Sequence, residues 1–171
     1  RKLEWQAKCF ERDPQPGLVH CGVEEIDADG RVLRRLTEGM AGTAVAAEML
    51  LFRRPTILGG GSGVLISRAA FEEVGGFDPR LSTSADWDLY YRIASRYPVG
   101  FVPEPLLQYR LHGSNMHGNI GAMERDMLLA YQKAFTNAPP DVRRLRRKAY
   151  GRLHSVLAGS YFATGKKPEF L

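Results

Sequence analysis

Cysteine is scarce in this sequence, which contains only Cys9 and Cys21 among its 171 residues. The two residues lack the paired spacing of a metal-binding cluster, and they are too few to build a disulfide scaffold. We therefore expect reduced thiols, as in cytosolic proteins. Long apolar runs are also absent, since no stretch approaches the ~18 residues of a membrane-spanning helix. These shortages exclude a disulfide-rich scaffold and give no sign of a spanning segment.

Acidic residues are outnumbered, with 19 Asp and Glu against 24 Lys and Arg, for a net charge of +5. Such a balance favours acidic partners, including nucleotide phosphates, nucleic acid and anionic membranes. Nucleic acid is not expected, because the sequence has no recognisable reading motif and no aromatic residues interleaved with its arginine cluster. Otherwise the composition, with 44% hydrophobic and 25% charged residues, is typical of a globular protein.

The beginning of the chain predicts a helix over residues 1–12 and then a hairpin. Residues 18–26 indicate one strand and 31–33 the return strand, separated by Asp27-Ala28-Asp29-Gly30. Two carboxylates at alternate positions could hold a divalent cation. Asp-Gly is also what a tight turn requires, and we interpret this pair as the turn.

The middle of the chain is organised around Gly75-Gly76-Phe77-Asp78-Pro79. We expect Ser67 to cap a short helix whose Phe71 and Val74 face inward, and Gly75 to end that helix in the left-handed conformation. Phe77 is predicted to anchor the following turn in the core. A second helix is predicted from near Asp86 to about Tyr97, with a buried stripe of Trp87, Tyr90, Tyr91 and Ala94.

The last third predicts two short strands and two helices. The strands are expected at residues 99–102 and 106–111, joined by a stiff turn at Pro103-Glu104-Pro105. The helices are expected at 122–135 and 141–164. The inner stripe of the second helix is predicted to consist of Val142, Leu145, Ala149, Leu153, Val156 and Ser160.

Four pieces of this sequence occur in an order and at a spacing that resemble the second half of a family 2 glycosyltransferase of the GT-A type. They are a short strand, a helix ending in Val-Gly-Gly-Phe-Asp, an acidic residue opening an Asp-x-x-x-x-x-Arg helix, and Pro-x-Pro-Leu-x-x-Tyr-Arg-x-His. The resemblance covers about residues 1–118. It implies an α/β fold, the C-terminal half of a GT-A type mixed-sheet domain (1–118), followed by a helical extension (119–171).

The resemblance places the catalytic base of sugar transfer on Asp86, which would take the proton from an acceptor hydroxyl. Many relatives have Glu before this Asp, whereas this chain has Ala85. An alternative stays open, because Thr83-x-x-Asp86 also has the spacing of a capping box. Asp88 and Arg92 are one helical turn apart, so we interpret them as a structural ion pair.

The resemblance also implies contacts with substrates. A glycine-rich loop lets a sugar approach the backbone, although a flexible entry into the next strand explains it equally well. His112 is expected near the donor diphosphate, as a metal ligand or a phosphate contact, although an ordinary hydrogen-bonded histidine explains it equally well. The residues predicted to bind substrate are Gly60, Gly61, Ser62, Trp87, Arg110, Ser114 and Asn115.

The function implied is an inverting glycosyltransferase of polysaccharide biosynthesis, which transfers a sugar from a nucleotide-sugar donor to a hydroxyl of a glycan or lipid-linked saccharide. A divalent cation, Mg²⁺ or Mn²⁺, is expected in the full-length enzyme. The donor half would lie upstream, so this fragment is expected to be inactive alone and to dimerise through an exposed sheet edge. The alternative is a non-catalytic binding or assembly module on the same scaffold.

The expected location is cytoplasmic, peripheral to the inner face of a membrane. A basic cluster at the start of the last helix could contact anionic lipid, or it could be a solvated helix face. It consists of Arg143, Arg144, Arg146, Arg147 and Lys148.

Overall fold

Strand β1 (Leu18–Ile26) is the centre of a four-stranded mixed sheet in the computed structural model, which describes residues 1–112 and 119–165. The other strands are β2 (Val32–Leu36), β3 (Val64–Ile66) and β4 (Val99–Arg110). The helices are α1 (Lys2–Arg12), α2 (Val45–Leu51), α3 (Arg68–Val74), α4 (Ala85–Ala94), α5 (Ile120–Phe135) and α6 (Pro140–Ala163), and Gly60–Ser62 form one turn of 3₁₀ helix. A mixed sheet followed by helices confirms the predicted fold class.

The partners of β1 are divided along its length. β4 runs parallel to it from Leu18 to Ile26, whereas β3 pairs antiparallel with its start and β2 antiparallel with its end. Because a strand has only two edges, β2 and β3 share the edge opposite β4. Most of β1 is buried, as expected for a central strand.

The prediction of two strands at 99–102 and 106–111 was wrong, because β4 is a single strand of 12 residues. Pro103 and Pro105 lie within it, and the register with β1 shifts on both sides of Gly22. Proline cannot donate to the ladder, so the pairing slips around the prolines and the strand continues. Gly22 permits this irregularity, since a Cβ there would lie 2.5 Å from the carbonyl oxygen of Pro103.

The predicted hairpin turn is confirmed. One oxygen of Asp27 accepts hydrogen bonds from the backbone N–H groups of Asp29 and Arg31, each at 2.9 Å. Gly30 has a φ of 84°, the left-handed value that a glycine adopts without strain. The Asp27 carboxylate therefore forms the turn.

The Gly75-Gly76 turn is held by polar contacts, and the prediction that Phe71 and Phe77 face the core was wrong. Phe71 is 37% and Phe77 54% exposed, and their rings pack edge to face on the surface. Arg92 instead anchors the turn, donating to the carbonyl oxygens of Val74 at 2.5 Å and Gly76 at 2.6 Å. The predicted Ser67 cap and left-handed Gly75 are both confirmed.

The helices that follow the sheet share its core. Buried side chains of α5 and α6 belong to the same cluster as those of β1, α2 and α4. Along α6, Ala149 and Leu153 are buried as predicted, but the stripe continues through Leu157 and Tyr161. Val156 is 40% exposed, because the buried positions advance by four residues at each turn.

Candidate active site

Asp86 lies in the first turn of α4 and faces the glycine-rich turn at Gly60–Ser62. One carboxylate oxygen is 3.5 Å from the position that a Cβ on Gly60 would occupy. The other oxygen accepts a hydrogen bond from the Trp87 backbone N–H at 2.7 Å. The structure therefore brings together two features that are 26 residues apart in sequence.

The surroundings of Asp86 favour its protonated form. Burial raises the pKa of this carboxyl above its ordinary value, and hydrogen bonds from backbone N–H groups offset only part of the effect. In the described ranges, no Lys, Arg or His forms an ion pair with Asp86. A carboxylate with a raised pKa and no counter-ion binds protons more tightly, which suits a general base.

The capping-box alternative is not what the structure forms. Ser84 is the N-cap of α4 and makes no side-chain capping bond, and the hydroxyl of Thr83 donates to Asp126 of α5. A capping box would require the Thr83 hydroxyl to accept from the backbone of α4. Asp86 is thus left without the partner that a structural cap would have.

Three side chains hold the glycine-rich turn by its carbonyl oxygens. Tyr90 donates from its hydroxyl to Gly60 at 3.1 Å, Lys2 to Ser62 at 2.7 Å, and Gln6 to Gly63 at 2.8 Å. Gly59 and Gly60 have φ values of 84° and 50°, so the turn depends on glycine at both positions. This turn is therefore fixed in place, which favours a defined surface over a loose entry into β3.

The predicted substrate-binding residues Gly60, Gly61 and Ser62 are exposed on this turn, and Gly60 is the one that lies next to Asp86. A Cβ on Gly61 would meet nothing within 4 Å, so the space above it is open. A bound molecule could approach the backbone there.

Tyr90 is a member of this site that sequence reasoning assigned only to the core. It is one helical turn after Asp86, and its pKa is raised by burial and by the negative charge of Asp86. Its hydroxyl therefore stays protonated and keeps donating to Gly60. Tyr90 follows Asp86 by four residues on one helix, and this spacing was the signal in the sequence that the two side chains lie on the same face.

Trp87 is placed among other aromatic rings. Its ring stacks on those of Tyr91 at 5.5 Å and Tyr131 at 5.3 Å between centroids, and Phe52 lies at 6.3 Å. These contacts give Trp87 a packing role. Its predicted contact with substrate stays a prediction.

Asp88 is a structural residue, as predicted from its spacing. It is 2% exposed and accepts from Arg92 at 2.9 Å, while Lys133 of α5 lies 2.7 Å from its other oxygen. Lys133 also contacts Asp78 at 2.7 Å. This charge network joins the Gly75-Gly76 turn, α4 and α5.

Four predicted site residues follow one another at and after the end of β4, and the structure does not bring them to the Asp86 carboxylate in any described contact. Arg110 donates to the carbonyl oxygens of Asp27 and Ala28, at 2.8 and 2.7 Å, and so supports the hairpin turn. His112 is exposed. Ser114 and Asn115 fall outside the described residues.

A divalent cation has no evident site in the part of the chain that the structure describes. No group of three or more His, Cys, Asp or Glu side chains there is arranged to hold a metal ion. The described residues by themselves do not fit the expected Mg²⁺ or Mn²⁺, and the role of His112 as a ligand stays a prediction.

Asp126 and Lys133 of α5 were missed by sequence reasoning, which assigned residues 119–171 to an extension. Asp126 is 7% exposed and lies on the same helix stripe as Ala122 and Ala130, which are 5% and 1% exposed. A buried ionisable residue requires a hydrogen-bonding partner, so the position of Asp126 on an apolar helix stripe was the signal in the sequence for such a contact. The partner is the segment before α4.

The fold and site together define an α/β protein in which one partly buried carboxylate faces an exposed glycine backbone. The family model of glycosyltransferase-like family 2 matches residues 2–148, and the chain belongs to this family. No curated protein matches the chain. Membership supports a glycosyltransferase-like function, with binding of a sugar donor and an acceptor in general terms. Among the described helices, none combines the length and apolar character needed to cross a membrane.

Proposed function

We propose that this chain is part of an inverting glycosyltransferase in which Asp86 is the general base. The observation that carries the proposal is the geometry of Asp86, a carboxylate with a raised pKa that faces the open backbone of Gly60 and has no cationic partner among the described residues. The acceptor would lie over Gly60–Ser62, with its hydroxyl against Asp86. Asp86 would remove the hydroxyl proton as the oxygen attacks the anomeric carbon of the donor, and the nucleoside diphosphate would leave from the opposite face.

The experiment is a transfer assay with Asp86→Asn in the full-length protein. Release of nucleoside diphosphate is measured from UDP-, GDP- and dTDP-sugars with Mn²⁺ and saccharide acceptors. Loss of a general base lowers turnover by about 10²–10⁴-fold. Asp29→Asn, at an exposed hairpin position, is the matched control and should keep the wild-type rate.

Two other results bear on the proposal. Wild-type turnover by Asp86→Asn refutes the assignment of the base. Absence of transfer by the wild type with every donor, together with saturable binding of a saccharide, favours the non-catalytic binding module.

We further propose that donor binding needs a preceding half of the domain, as the resemblance implies. Calorimetry with UDP, GDP and Mn²⁺ on this chain and on a form extended upstream tests this. Binding only to the extended form supports it. Tight metal-dependent binding to this chain contradicts it, and would return His112 and Asp86 to consideration as ligands.

The basic cluster of α6 is proposed to rest on an anionic membrane, where a lipid-linked saccharide could serve as the acceptor. The five cationic residues of this cluster are exposed, and the guanidinium of Arg146 lies 5.8 Å from the centre of the Tyr150 ring. Each cation near an anionic surface contributes about 1 kcal/mol. Co-sedimentation with phosphatidylglycerol vesicles should exceed that with phosphatidylcholine and should be lost when all five are changed to Gln. Equal binding to both vesicles contradicts the proposal.

Dimerisation is proposed through the edge of β4 that faces away from β1. Among the described strands β4 pairs with β1 alone, and only the start of its outer edge is occupied, where Val99 and Gly42 exchange backbone hydrogen bonds at 2.8 and 3.1 Å. The proposed dimer edge is therefore the part of β4 after Val99. Sedimentation equilibrium should show a dimer, and a clean monomer at micromolar concentration contradicts the proposal.

A further inference from the structure

The segment that leads into α4, residues 82–84, is held by a side chain of another helix. Ser84 is the N-cap of α4 and makes no side-chain capping bond, so the entry into the helix depends on acceptors from elsewhere. One oxygen of Asp126 accepts from the N–H groups of Ser82 at 2.7 Å, Thr83 at 2.6 Å and Ser84 at 3.2 Å. It also accepts from the hydroxyls of Ser82 at 3.2 Å and Thr83 at 3.1 Å.

Asp126 stays ionised in this position. Burial alone would raise its pKa, but hydrogen bonds from the N–H groups of Ser82, Thr83 and Ser84 outweigh it, and the pKa of Asp126 is lowered. Hydrogen bonds to an ionised acceptor are the strong ones. Asp126 is therefore a firm attachment for the segment 82–84.

The same helix also contacts α4 directly after Asp86. The ring of Tyr131 stacks on Trp87 at 5.3 Å between centroids, and Lys133 lies 2.7 Å from Asp88. Helix α5 thus holds the residues before Asp86 and the two residues after it. Asp86 itself is left to face Gly60.

We propose that Asp126 is a positioning residue of the active site, which fixes the start of α4 so that the Asp86 carboxylate faces Gly60. The inference rests on the proposed role of Asp86 as the base. It makes α5 a working part of the site, because a base must hold its geometry closely and a displacement of about 1 Å can cost about 10²-fold in rate.

The test compares Asp126→Asn with wild-type chain by NMR. The carboxyl carbon of Asp86 is titrated, and exchange of the Trp87 amide, which donates to Asp86, is measured. If α4 loses its attachment, Asp86 gains access to water, so its titration midpoint moves down toward the ordinary 3.8. The Trp87 amide should exchange about tenfold faster, as expected from loss of charge-assisted hydrogen bonds.

Glu124→Gln is the matched control, since Glu124 is on the same helix and accepts a hydrogen bond from Tyr161 at 2.6 Å. It removes a carboxylate from α5 without touching segment 82–84. It should leave the Asp86 titration and the Trp87 exchange at wild-type values. If Glu124→Gln moves both as much as Asp126→Asn does, general loosening explains the effect and the proposal is overturned.

Thr83→Val covers the case in which Asp126→Asn does not fold. It removes one hydroxyl donor to Asp126 and should move the same two signals in the same direction by a smaller amount. Unchanged Asp86 titration and Trp87 exchange, in Asp126→Asn or in its replacement Thr83→Val, overturns the proposal. Neither readout uses turnover, so this result is independent of whether Asp86→Asn abolishes transfer.

Discussion

Asp86 and Asp88 are two residues apart on the same turn of α4, yet they have opposite surroundings. Asp88 is 2% exposed and lies between Arg92 and Lys133. Asp86 is partly exposed, accepts only backbone hydrogen bonds among the described contacts, and faces the backbone of Gly60. Side chains two apart on a helix point ~200° from each other, so one meets α5 and the other meets the open turn.

The comparison shows that the groups around a carboxylate determine whether it has a structural or a catalytic role. Ion pairs with Arg92 and Lys133 on its two sides make Asp88 part of the framework. Burial without a counter-ion makes Asp86 bind protons more tightly, which is useful to a base.

The largest expected effect on stability is that of Asp88→Asn. The change leaves Arg92 and Lys133 without their shared carboxylate in a buried position, and breaking such a network costs about 3–5 kcal/mol. Urea denaturation measures the free energy of unfolding. A loss below about 1 kcal/mol would show that Asp88 is not the framework residue described here.

A second effect concerns His20, which is buried and also lacks a counter-ion among the described residues. Its Nε2 lies 2.8 Å from the carbonyl oxygen of Met40, its Nδ1 accepts from the Leu58 N–H at 3.1 Å, and burial lowers its pKa to about 4. The unfolded chain takes up this proton near pH 6.5 and the folded chain near pH 4, so stability is lost as the pH falls. Between pH 6.5 and 5 the loss should reach about 1.6 kcal/mol.

The pH series is measured by urea denaturation at each pH. Ordinary carboxyl groups titrate below this window, but the raised pKa of Asp86 acts in the opposite direction to that of His20. The series is therefore also measured in Asp86→Asn, where the slope belongs to histidine. A stability that stays constant from pH 6.5 to 5 would contradict the neutral, doubly bonded state of His20.

The smallest expected effect on stability is that of Asp86→Asn. The raised pKa of Asp86 means that its ionised form is disfavoured in the folded state, so removing the charge costs little at neutral pH. The free energy of unfolding should stay within about 0.5 kcal/mol of the wild-type value or rise slightly. A loss as large as that of Asp88→Asn would make Asp86 a framework residue too.

The sequence predicted the parts of this site that depend on local spacing. The Ser67 cap, the left-handed Gly75 and the Asp88–Arg92 pair each follow from residues within one or two turns. The hairpin turn at Asp27 follows in the same way.

Long-range contacts were not predictable in this way. Asp126 reaches Ser82 across 44 residues, and nothing in the local pattern selects that partner. Arg92 reaches back across 16 residues to the carbonyl oxygen of Gly76, and local spacing did not predict this contact or the exposed position of Phe77 beside it. β4 is one continuous strand because its pairing with β1 shifts register next to the two prolines of β4.

The most direct test of the central claim is the pH dependence of kcat/KM for sugar transfer, measured for the full-length protein and for its Asp86→Asn variant. The wild-type rate should fall as the pH drops through the raised pKa of Asp86, because a protonated carboxyl cannot accept the acceptor's proton. In Asp86→Asn the residual rate should be low and this acid limb should be absent. An acid limb that persists unchanged in Asp86→Asn, at a wild-type rate, would contradict the assignment of Asp86 as the base.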